Sequence, residues 1–170
     1  MTTETNTLVF MCMDFRFVSS VTTVLSELYA KYDLVTIAGA SLMFNSENER
    51  DPHLCSLASS FDYFRKTAVK HIDLAIDLHS ISKIVCVDHV DCGGYRALYG
   101  VDKIDRTERH IHTQNINNMA RYIYARYPNL DFEGYIAQFD GKLESVTITH
   151  KLDLDKNPTC ECSTNKYFDL

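Results

Sequence analysis

Two short stretches carry the side chains best suited to chemistry. In "LVFMCMDFRF", residues 8–17, a thiol, an acid and a base follow one another at Cys12, Asp14 and Arg16. In "DHVDCGGYRA", His89 and Cys92 are separated by two residues, a spacing that lets one turn of chain close on a metal. Together Cys12, His89 and Cys92 offer two thiolates and one imidazole. Zn²⁺ favours such ligands, and three of them leave a fourth position for water. In an extended chain, positions 12, 14 and 16 share one side. An arginine fork holds a carboxylate through two hydrogen bonds, so Arg16 would aim Asp14 at the metal or its water. The plainer readings are buried apolar thiols at Cys12 and Cys92 and a surface ion pair of little worth at Asp14–Arg16.

The elements that must position these groups follow from periodicity. "LVFMC" (8–12) reads as a buried strand, and "SVTTVLSELYAK" (20–31) has helical spacing through Val21, Val24, Leu25 and Leu28. Leu34 to Ala38 forms a second strand running into a Gly turn, and "NSENERDP" is a polar loop. A long helical pattern runs from about Leu54 to His79, with Phe61, Phe64, Ala68, Ile72, Ala75 and Ile76 near a 3.6-residue period. "KIVCVDH" is a third strand, apolar from Ile84 to Val87, as suits a central parallel strand. Residues 105–127 read as another helix, and "FEGYIAQF" and "KLESVTI" as two strands joined by an Asp-Gly turn. The order β-α-β-α-β-α-β-β predicts an α/β fold with a mainly parallel central sheet flanked by helices. Ligands of such sheets sit beyond the carboxyl ends of the strands. That rule selects Cys12 to Arg16, Ala38 to Ser41 and His89 to Gly94.

Composition narrows the function classes. The chain of 170 residues, 45% hydrophobic and 24% charged, suits one domain with a real core, with tails at 1–7 and about 156–170. A net charge of −6 without a basic block argues against a nucleic-acid partner and an anionic membrane. No apolar run reaches the roughly 18 residues of a membrane span. The polar start "MTTETNT" does not read as a secretory signal. The expected location is therefore the cytoplasm, where cysteines are free, catalytic or metal-bound rather than paired.

The sequence resembles the β-class carbonic anhydrases. "CMDFR" followed by "HVDC" is similar to that family's C-x-D-x-R and H-x-x-C motifs, with "TIAGA" in the place of its R-N-A-G turn. "CGGYRAL" and "FEGYIAQFDGKLESV" extend the likeness over about Leu8 to Ile148. The resemblance implies one zinc per chain on Cys12, His89 and Cys92. It implies that Asp14 hydrogen-bonds the zinc-bound water or takes the fourth position in a closed form, and that Arg16 orients Asp14. The implied reaction is reversible hydration of CO2 to bicarbonate and a proton, in a homodimer or dimer-based oligomer. Phe15, Ala38, Gly39, Ala40 and Gly93 are candidates for the walls of the substrate pocket.

Three departures from the family keep other readings in view. Phe15 replaces a small residue between the acid and the arginine, Thr36-Ile37 replaces a polar pair, and seven residues precede the first strand. Many relatives embrace a partner through N-terminal helices, so a dimer here is expected to use other surfaces. The alternatives are a zinc hydrolase of COS or CS2, whose carbon is also electrophilic, and a non-catalytic zinc protein closed by Asp14.

Other residues read as structural. His110 and His112 sit two apart on a helix, hence on different faces, and are expected to be exposed. His71 and His79 are expected at the surface or as caps, and His53 in a loop. Cys86 and Cys55 read as packing, Cys160 and Cys162 as a tail with free thiols, and Tyr122, Tyr124 and Tyr127 as core or interface.

Overall fold

A computed structural model describes residues 5–45 and 55–149, with backbone alone at 55–59 and 101–106. His53, Cys160, Cys162, most of the polar loop and the C-terminal tail lie outside the described residues, as does the side chain of Cys55. Five strands form one sheet in the order β2-β1-β3-β4-β5, made of β1 (Thr7–Met11), β2 (Asp33–Thr36), β3 (Lys83–His89), β4 (Asp131–Ala137) and β5 (Leu143–Val146). The first four are mutually parallel, and β5 returns antiparallel to β4 through the turn at Asp140–Gly141. This is the expected α/β architecture.

The two faces of the sheet are sorted by alternation along each strand. Val9, Met11, Val85 and Val87 face α1 (Phe15–Tyr29) and meet its Phe17, Val21 and Leu25. Leu8, Phe10, Ile84, Cys86, Phe132 and Ile136 face the other way, toward α2 (Cys55–His79) and α4 (Val101–Arg126). There they pack with Ala68, Ile72, Ile111, Ile116, Met119 and Ile123. β1 is buried throughout and β3 at every residue after Lys83 because both faces are covered, which explains their unbroken apolar runs.

The boundaries shift from expectation in instructive ways. Asp14 accepts a hydrogen bond from the Arg16 N–H at 3.0 Å and so caps α1, which therefore starts at Phe15 rather than near residue 20. Leu28, placed on the apolar stripe by spacing, is 54% exposed, and so is Phe64 on α2 at 41%. The helix expected from 105 starts four residues earlier, as α4, and is separated by Gly100, with φ +83°, from the short helix α3 (Gly93–Tyr99) that precedes it. Part of the expected N-terminal tail belongs to the fold. Thr5 and Thr7 are buried, and the Asn6 carbonyl accepts from the Ser82 and Lys83 N–H groups. His79 pairs with Asp33 at 2.6 Å, tying the end of α2 to the start of β2. Tyr124 is buried, and Tyr122 and Tyr127 pack against the same core.

α4 reaches β4 closely only because residue 134 is glycine. A Cβ there would run into the Ile116 side chain, which stands over it from α4. Gly134→Ala is expected to cost ~1–3 kcal/mol through overpacking, read as a lower midpoint in chemical denaturation.

Candidate metal centre

Three chain ends converge at the carboxyl edge of the sheet. Met11 pairs in register with Val87 on one side and with Thr36 on the other, so Cys12, His89 and the Ala38–Gly39 turn leave neighbouring strands together. The turn bends back at Gly39, whose φ of +69° favours glycine, and enters a 3₁₀ turn over Ala40–Phe44. Its Gly39 N–H donates to the Cys12 Sγ at 3.4 Å. Cys92 stands just before α3 as its N-cap residue.

One potential ligand atom each from Cys12, His89 and Cys92 lie within 4.8 Å of one another, and all three residues are buried. The two sulfurs are 3.9 Å apart. His89 Nδ1 is 2.8 Å from the Val90 carbonyl, to which it donates when it carries the ring proton. Its Nε2 is buried without a hydrogen-bond partner. A buried polar atom left this way costs free energy unless something coordinates it. Two sulfurs and one free imidazole nitrogen are a zinc donor set, and a second contact that fixes the imidazole is the usual accompaniment of metal ligation. The residues present thus fit the ion.

Electrostatics favour one ionised sulfur of the pair, at Cys12, while the neighbouring Cys92 thiol is pushed well up by Cys12 and by burial. Cys12 is drawn well below the ordinary thiol range by the hydrogen bond from Cys92, helped by His89 and the Gly39 N–H and opposed by burial. Burial works against charge on His89, but the adjacent Cys12 sulfur outweighs it and raises the imidazole pKa.

Asp14 and Arg16 meet in a different way from the one expected. The strand ends at Met11, so the two are not aligned by strand alternation. Instead the first turn of α1 folds Arg16 back, and its Nε and Nη2 donate to the Asp14 carboxylate at 3.0 Å and 2.7 Å. Arg16 holds the Asp14 carboxyl down at about 2. Asp14 Oδ2 lies 3.9 Å from His89 Nε2, beside the cluster. Phe15 is 86% exposed, and among the other pocket candidates Ala38 and Gly93 are exposed while Gly39 and Ala40 are buried. Met13 and Phe139 are also exposed apolar residues on this edge.

Sequence reasoning missed a second layer. Asp88, one residue before His89, is 1% exposed. It accepts hydrogen bonds from Ser41 N–H at 3.1 Å, Ser41 Oγ at 2.6 Å and Tyr95 OH at 2.7 Å, and pairs with His112 Nδ1 at 3.0 Å. His112 is therefore buried, not exposed, although His110 is exposed as expected. The available signal was spacing, since His112, Asn115, Ile116 and Met119 keep one buried face of α4. Burial alone would disfavour the imidazolium, but Asp88, with Glu108 at 3.8 Å, raises the His112 pKa to about 9.

The family and structural comparisons agree on one neighbourhood. A family model described as "Putative carbonic anhydrase" matches residues 1–147. Two uncharacterised proteins are similar in sequence. One, from Rickettsia bellii, is 27% identical over 154 residues, covering 88% of this chain and 87% of its own. The other, from Rickettsia conorii, is 26% identical over 147 residues, covering 84% and 73%. Among solved structures, the fold is similar to the β-carbonic anhydrase of the fungal pathogen Aspergillus fumigatus, with TM-score 0.53, 14% identity and 90% and 83% of the two chains covered. It is also similar to β-carbonic anhydrase isoform I of Trichomonas vaginalis, with TM-score 0.50, 15% identity and coverage of 85% and 84%.

Two measurements check this centre. Purified wild-type protein is expected to carry about one zinc per chain, and Cys12→Ser and Cys92→Ser far less, by metal analysis after dialysis. The buried pair gives a pH signature. A histidine whose pKa rises from 6.5 unfolded to about 9 folded contributes its full stability below the first value and loses it as pH climbs through the second. Relative to His112→Asn, wild-type stability is expected to decline by a few kcal/mol across that window, in denaturant melts on either side of it.

Proposed function

The chain belongs to the carbonic anhydrase family whose model it matches, and on that premise we propose that it is a zinc enzyme hydrating CO2 to bicarbonate. The observation that carries this reading is the cluster of Cys12, His89 and Cys92 with an arginine-held carboxylate 3.9 Å from its free imidazole nitrogen. A structural zinc site is complete with four protein ligands. Here the nearby fourth donor, Asp14, is engaged by Arg16 instead.

Cys12 Sγ, Cys92 Sγ and His89 Nε2 would hold the zinc. Zinc supplies a Lewis acid that lowers the pKa of water to near neutrality and so makes hydroxide available to an electrophilic carbon. The protein's own contribution is orientation. Asp14 presents a carboxylate oxygen as a hydrogen-bond acceptor beside the reacting water. Arg16 fixes which oxygen faces the site, and the Gly39 N–H steadies the Cys12 thiolate. The substrate is small and apolar, and needs mainly apolar walls. Ala38, Gly39, Ala40 and Gly93 border the centre. Phe15, Met13 and Phe139 stand exposed beside it, and in this reading a second copy of the chain covers them in a homodimer.

Initial rates on zinc-loaded protein with CO2, COS and CS2 side by side test the proposal. Turnover of CO2 is expected to dominate. Preference for COS or CS2 would move the reaction to the related hydrolases, and silence on all three would leave a non-catalytic zinc fold. Asp14→Ala is expected to retain zinc while losing most of its CO2 turnover, about 10²-fold or more. Wild-type turnover in that variant would remove Asp14 from the chemistry.

A further inference from the structure

We propose that Asp91 is a positioning residue for this centre: it fixes the Arg16 guanidinium, so that Arg16 in turn fixes Asp14 beside His89. Asp91 lies between the ligands His89 and Cys92 in sequence, yet it is not one of the clustered donors. Its backbone takes φ +56°, a left-handed conformation that residues with side chains seldom adopt. Such conformations persist where their surroundings over-determine them, and they gather at functional sites.

The surroundings of Asp91 do so. Its N–H donates to Glu108 Oε1 at 2.6 Å, which anchors it to α4. Its Oδ2 accepts from Arg16 Nη1 at 2.6 Å, and its carbonyl accepts from Arg16 Nη2 at 2.8 Å. Its Oδ1 is 2.7 Å from Arg96 Nε. Every polar atom of the residue is engaged, and two of them engage the same guanidinium.

The consequence lies in how Arg16 divides its donors. Nε and Nη2 serve Asp14, after β1, while Nη1 and Nη2 serve Asp91, after β3. The rings of Phe17 and Phe139 each lie 5.7 Å from the guanidinium carbon. Held by Asp14 alone, the fork would travel with that carboxylate. Tied to two strand ends, it is a fixed post from which Asp14 is aimed. The carboxylate of Asp91 therefore acts on the site through Arg16, and it has no contact with substrate to make.

The proposal rests on the hydration reading only for its kinetic arm. Solvent exchange of the Arg16 Nε–H, followed by ¹⁵N NMR on the purified full chain, reads the clamp itself. Asp91→Gly removes the carboxylate and relieves the positive φ. Asp91→Asn keeps the shape and tolerates that φ while losing the charge. Both are expected to speed Arg16 Nε–H exchange severalfold and to lower CO2 turnover, by about tenfold for the glycine variant. A merely structural role would be read in the melting temperature and would leave the exchange alone. Exchange as slow in both variants as in wild type overturns the proposal, and so does faster exchange with undiminished turnover. If wild type turns over no CO2 while the variants exchange faster, the clamp stands and the hydration reading alone falls. Should the glycine variant fail to fold, the asparagine variant decides by the same exchange measurement.

Discussion

A carboxylate with no access to water must be paired on every side, and the burial of Asp88 sets this requirement at the heart of the molecule. Isolated, such a charge would cost several kcal/mol. The chain meets the demand by drawing one partner from each surrounding element: Ser41 from the 3₁₀ turn, Tyr95 from α3 and His112 from α4. The 3₁₀ turn and α3 among them also flank the Cys12–His89–Cys92 donor cluster. The turn held by Ser41 carries the Gly39 N–H that reaches Cys12, and α3 begins directly after Cys92. Satisfying one buried charge thus places a ligand's neighbour on either side of His89.

The site above this hub is built from successive ties rather than from one pocket. His112 faces Glu108, Glu108 holds the Asp91 N–H, Asp91 holds Arg16, and Arg16 holds Asp14. Two of these ties, Glu108 to Asp91 and Asp91 to Arg16, cross between elements distant in sequence, so the edge that carries the donor cluster depends on the docking of α4 onto the sheet. The close approach of α4 at Gly134 belongs to the same requirement.

This explains what could be read from the sequence and what could not. The strands were legible because β1 and β3 are covered on both faces and carry unbroken apolar runs, Leu8–Met11 and Ile84–Val87, and the helices because α1, α2 and α4 each keep a 3.6-residue stripe. The donor triad was legible because His89 and Cys92 are close in the chain and strand order brings Cys12 beside them. The route from Cys12 to Arg16 was not. Strand alternation predicted three side chains on one side, but Asp14 caps a helix and turns the chain at Phe15. The roles of Asp88, Asp91 and His112 were hidden for another reason: each depends on a partner from 17 to 75 positions away, and local spacing carries no trace of it.

The cap on α1 narrows what evolution can place at position 14. The Asp14 carboxylate accepts the helix N–H of Arg16 and at the same time the Arg16 side chain, beside His89. Serine or asparagine would close the helix as well but bring no charge, and glutamate would bring the charge but caps poorly. Aspartate is the one side chain that meets both demands. Under the proposed reaction, a chain with a neutral cap here would keep the helix start and the fold but lack the acid beside His89.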